Sequence, residues 1–123
     1  MKRAIALILA CICLATLLCA CGASNPNAGT YKGVYGKWVG SDESGKEDIT
    51  ANTLELKGDG TGVHNRDDLE LKITWSADGE SFKMTEKFLG LEIEYTGTIK
   101  DGEIHMYNGD PADDLTYEYV YKK

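Results

Sequence analysis

From residue 34 onward, apolar and polar positions alternate with a period of two. In LELKITWS, Leu69, Leu71, Ile73 and Trp75 share one face, while Glu70, Lys72 and Thr74 share the other. ESFKMTEK groups Phe82 with Met84. LGLEIEYTGTIK sets Leu89, Leu91, Ile93, Tyr95 and Ile99 against Glu92, Glu94 and Thr96. Alternation of this kind marks strands with one buried face, whereas apolar spacing of helical period never persists here beyond two turns. It predicts strands over residues 34–39, 53–57, 61–65, 69–76, 80–87, 89–100, 103–108 and 115–122. The turns between them include Gly58-Asp59-Gly60, Ala77-Asp78-Gly79 and Asp101-Gly102, strong short-range hairpin signals. Sequential hairpins make a meander, and eight strands close most simply into an antiparallel up-and-down barrel, which leaves no edges to aggregate. The fold class is therefore all-β, with a two-sheet β-sandwich as the alternative.

The first thirty residues break the pattern. Lys2 and Arg3 precede an uncharged apolar run from Ala4 to Leu18, the anatomy of a secretory signal and too short for a stable spanning helix. Leu18-Cys19-Ala20-Cys21 then resembles the lipobox of bacterial lipoproteins. The resemblance implies that residues 1–20 are removed and that Cys21 carries a diacylglyceryl thioether. All four cysteines lie between Cys11 and Cys21, so three leave with the signal and one takes lipid. No disulfide, redox pair or thiolate metal site is then expected. Residues 21–30, CGASNPNAGT, read as a polar tether, and residues 31–123 as one barrel domain. Buried methylenes contribute about 0.8 kcal/mol each and stable anchoring needs more than one chain, which places the protein on the outer face of the cytoplasmic membrane.

Charge sharpens this picture. The chain has 13 Lys and Arg against 20 Asp and Glu, a net charge of −7. Without Lys2 and Arg3 the balance is 11 against 20, or −9. Such a domain is repelled by nucleic acid and by anionic headgroups, so membrane attachment rests on the acyl chains. Residues 21–123 suffice for one core, and a monomer is expected.

Gly36-Lys37-Trp38 is a GxW triplet, and LELKGDGTG (54–62) and WSADG (75–79) follow it. Together these resemble the small lipocalin-like domains of Gram-positive lipoproteins over about 90 residues. The resemblance implies that Gly36, Trp38 and Trp75 help close the barrel. It departs from true lipocalins in lacking an Arg on the last strand: Arg66, read as part of a mid-chain loop, is the one arginine after residue 3. An eight-stranded interior is just wide enough for side chains or one small ligand.

Candidate chemistry is sparse. No HExxH, GxSxG or phosphate loop occurs, so no enzyme activity, cofactor or metal is expected. His105, between Ile104 and Met106, reads as a surface residue, and His64 as a solvated hairpin end. The acidic loops around Gly45 and Pro111 lack EF-hand spacing and read as solvated. Tyr117, Tyr119 and Tyr121 alternate on one face, with Tyr107 within cross-strand reach. They are either a packing ladder or a ligand- or partner-binding face. The expected function is a non-catalytic binding module for a small apolar ligand or a basic surface protein. The alternative is an interaction module without a cavity, such as an inhibitor of a cell-wall hydrolase.

Overall fold

The computed structural model describes residues 25–123; the lipobox and the Cys21 assignment lie outside them. Nine strands follow one another: β1 (Gly29–Trp38), β2 (Glu47–Asp48), β3 (Thr53–Leu56), β4 (Thr61–Arg66), β5 (Leu69–Asp78), β6 (Ser81–Phe88), β7 (Leu91–Lys100), β8 (Glu103–Tyr107) and β9 (Tyr117–Lys122). Each ring strand pairs antiparallel with its neighbours, and β9 returns to β1, closing eight strands into a barrel. Two-residue β2 pairs with β1 alone and stands outside the ring. The eight expected strands are all present. The first begins five residues earlier than the alternation suggests, because Tyr31 is fully buried and its hydroxyl donates to the Asn27 carbonyl at 2.8 Å.

Alternation works as the pleat requires. Leu54, Leu56, Ile73, Trp75, Phe82, Met84, Ile99, Ile104 and Met106 point inward and form one cluster. Strand register divides the barrel into two ends. At the end where the chain enters, Trp75 stacks on Phe82 with ring centroids 6.4 Å apart. Its indole N–H donates to the carbonyls of Lys57 and Thr61, at 2.9 and 3.1 Å, in the β3–β4 turn. Trp75 thus caps this end.

Trp38 does not. It sits at the opposite end and is 49% exposed, against Tyr117 edge-on at 5.2 Å. It is the last residue of β1, beside Tyr117 at the rim, and its phase is set by a bulge: β1 pairs Gly33 with Tyr121 but Tyr35 with Val120. One residue is inserted at Val34, which shifts the inward set from Tyr31 and Gly33 to Gly36. Gly36 is buried, and a Cβ there would meet the Tyr117 ring at 2.5 Å. Its role is to admit that ring.

Candidate functional site

The opposite end, here called the mouth, is built by the C-terminal ends of β1, β4, β6 and β8 and the starts of β5, β7 and β9. Below it, three inward positions carry polar groups where an aliphatic core would be expected. On β4, Gly62, His64 and Arg66 face inward; on β6, Glu86 continues the face of Phe82 and Met84. His64 and Glu86 are 0% exposed. The imidazole bridges two partners, with Nδ1 2.5 Å from Glu86 Oε1 and Nε2 2.5 Å from the Tyr121 hydroxyl. Arg66 donates from Nη2 and Nε to Glu86 Oε2, at 3.0 and 3.2 Å, and the Tyr95 hydroxyl donates to the same oxygen at 3.1 Å. No buried side-chain nitrogen or oxygen among the described residues is left without a partner.

The electrostatics follow from this geometry. Burial alone would raise the Glu86 pKa, but hydrogen bonds from His64 and Arg66, together with their charges, outweigh it and hold the carboxyl at about 2. Hydrogen bonding to Glu86 raises the Arg66 pKa. Burial, and then the Glu86 charge, raises Tyr95, so that phenol stays a donor.

Two of the sequence readings change here. His64 is an interior residue and not a solvated hairpin end. Arg66 closes β4 and turns inward, its guanidinium carbon 5.8 Å from the Phe88 ring centre. The signal that finds this cluster is the alternation itself, extended two residues past Met84 and read across Gly62, His64 and Arg66.

The tyrosines separate. Tyr117, Tyr119 and Tyr121 share the inner face and climb from the buried cluster to the mouth. Tyr121 is bonded to His64, Tyr119 packs edge-on to Tyr95 at 5.8 Å, and Tyr117 lies 4.8 Å from Tyr119. Tyr107 does not join them. It pairs with Glu118 across the strands, so it stands on the outer face and donates to Glu118 Oε2 at 2.7 Å. His105 is also on the outer wall, bonded to Glu103 at 2.8 Å.

The rim is apolar and its loops are acidic. Of the six large apolar side chains exposed among the described residues, Trp38, Leu69, Leu89, Leu91 and Leu115 stand at the mouth and Val34 stands elsewhere. Leu89 is the least explicable by folding alone. It occupies the first central position of the β6–β7 turn at φ 50°, and it is 86% exposed. That left-handed conformation suits Gly, Asn or Asp and costs a leucine about 1 kcal/mol. The four mouth loops, residues 39–52, 67–68, 89–90 and 108–116, contain nine Asp or Glu and a single lysine, Lys46.

Several of these carboxylates are already engaged: Asp42, Asp48, Asp110 and Asp113 each accept from a backbone N–H two residues on. Among the described residues no three His, Cys, Asp or Glu side chains converge as a metal site would need. No family model, curated protein or solved structure matches this chain.

Proposed function

We propose that this protein is an exported, acyl-anchored, non-catalytic docking module whose mouth binds a basic partner protein at the outer face of the cytoplasmic membrane. One observation carries the docking part: exposed apolar side chains gather at one end of the barrel, among loops of which three carry nine acidic residues against one lysine. Interfaces combine an apolar centre with a charged rim, and a strongly acidic rim selects and steers a basic surface. The chain enters at the far end of the barrel, through Gly29. A lipid on Cys21 would therefore moor the closed end and leave the mouth turned outward.

The small-ligand reading has less support. The space such a ligand would need is taken by the core cluster and by the His64–Glu86–Arg66 network. One depression among the described residues lies along the wall, over Lys57, Val63, Lys72 and Thr74.

The test is site-specific photo-crosslinking in living cells, with the reactive side chain placed at Leu89, at Leu115 or at wall position Lys72. The expected result is a basic protein captured from both mouth positions and not from Lys72. Equal capture from the wall, or none from the mouth, refutes the reading. Metabolic labelling with a fatty-acid analogue tests the anchor separately: the label is lost in Cys21→Ser if the assignment is right.

A further inference from the structure

The seam between β7 and β8 is partly open. Strand β7 pairs with β6 along its first eight residues, Leu91–Thr98, but with β8 only from Thr96 to Lys100. Residues 91–95 thus have a strand neighbour on one side alone. Hairpin geometry fixes which backbone groups are left over. Leu91 and Phe88 flank the two-residue turn Leu89-Gly90, so positions 91, 93 and 95 exchange hydrogen bonds with β6. Lys100 and Glu103 flank the turn Asp101-Gly102, so positions 96, 98 and 100 bond to β8. The two registers agree: the N–H and C=O of Glu92 and Glu94 point into the open seam.

The segment that should cover the seam turns away from it. After Tyr107 the chain folds toward β1, where the Thr116 hydroxyl donates to the Asp110 carbonyl at 2.7 Å and the Val39 N–H donates to the Thr116 carbonyl at 2.9 Å. What remains is a groove of about 610 Å3 lined by Glu92, Ile93, Glu94, Thr96, Tyr107 and Asn108, among others. An open edge of this kind is a template for an added strand, which natural barrels normally avoid.

We infer that the open edge of β7 receives an extended segment of the partner as an added strand, and that this segment alternates Lys or Arg with apolar residues. The inference rests on the docking reading and names the segment that docks. The alternation follows from β7 itself. Glu92 and Glu94 project from the outer face, and residues directly opposite them are favoured when oppositely charged. Leu91, which is 67% exposed, and half-buried Ile93 project inward at the mouth and offer apolar contact to the intervening residues. On the β6 side Lys87 already stands opposite Glu92, so the register of Lys against Glu has a precedent within the barrel.

The experiment titrates the full chain with a six-residue peptide alternating Lys and Val, using calorimetry and amide hydrogen exchange. Binding is expected, with new protection of the Glu92 and Glu94 amides. Glu94→Pro removes a donor that points into the seam and spares the pairing with β6, so at least a tenfold loss of affinity is expected. Should that variant fold poorly, the peptide carries the same test. Methylating the backbone nitrogens of its Lys residues, which lie opposite Glu92 and Glu94, abolishes binding, whereas methylating those of its Val residues does not. Absence of binding, or equal loss with both methylation patterns, overturns the edge. Unchanged affinity in a folded Glu94→Pro overturns it too, and if Leu89→Asp then weakens the peptide, the docking end survives without the added strand.

Discussion

Glu86 offers the most demanding test of the interior. Replacing it with Gln keeps the size of the side chain and removes its charge. One oxygen must then serve donors that reach two, so at least one donor among His64, Arg66 and Tyr95 faces an amide N–H. The cost follows from the carboxyl. A fall from its ordinary 4.5 to about 2 corresponds to about 3 kcal/mol of preferential stabilisation of the ionised form in the folded chain. Breaking a buried pair by removing one partner costs about 3–5 kcal/mol in general, so the two routes agree. For a domain of this size, about 3 kcal/mol lowers Tm by roughly 12 °C or more.

The sign with pH is distinctive. A depressed carboxyl pKa adds stability that is complete above about 4.5 and fades as pH falls through about 2. Gln has no such transition. Urea unfolding followed by tryptophan fluorescence should therefore show wild type and Glu86→Gln about 3 kcal/mol apart at pH 7, and within about 0.5 kcal/mol at pH 2. A gap below about 1 kcal/mol at pH 7, or one that persists unchanged at pH 2, refutes the reasoning.

Leu89→Asn relieves a left-handed leucine and should raise stability by about 0.5–1 kcal/mol in thermal melts, while weakening crosslinking of the basic partner from Leu115. Gly97→Ala drives a Cβ into the backbone carbonyl of His105 and should cost about 2–3 kcal/mol, against less than about 1 for Gly36→Ala, where only the far end of the half-exposed Tyr117 ring must move; chemical denaturation ranks them. The pKa of every one of the seven tyrosines is raised, chiefly by burial, with Tyr107 and Tyr117 at about 12. Tyrosinate absorbance at 295 nm should therefore stay low through the ordinary pH of 10. The stability these phenols confer is complete below about 10 and is lost as pH climbs through their folded values.

The barrel was legible because its strands are amphipathic one by one and its hairpins are short: Asp101-Gly102 does in eight atoms of backbone what a long crossover would leave ambiguous. The mouth was harder to read for two physical reasons. The bulge at Val34 shifts the phase of β1, and Gly33 beside it marks a bulge no more strongly than Gly36 does, so the face of Trp38 could not be counted from Tyr31. The interior cluster defeats the habit of assigning charged residues to solvent. Glu86 lies on the inward phase set by Phe82 and Met84, yet its burial is tolerable only because Arg66 and His64, about twenty residues earlier, share the same phase on β4. Strand β2, two residues long, carries no periodicity at all.

The two ends of the barrel solve different problems. At the closed end, Trp75, Phe82 and Leu56 contribute stability through apolar burial. At the mouth, an apolar filling of equal volume would serve stability as well as the Glu86–His64–Arg66 network or better, since buried ion pairs seldom outdo hydrophobic packing. What the network adds is direction. Tyr95 and Tyr121 are tied to it by their hydroxyls, Phe88 lies beside the guanidinium, and Tyr119 leans on Tyr95. Under the docking proposal this gives the rim a floor whose side chains are already ordered, so the partner would lose less free energy to ordering them on contact. A core made wholly of leucine would hold the barrel together equally well and leave those aromatic rings free to turn.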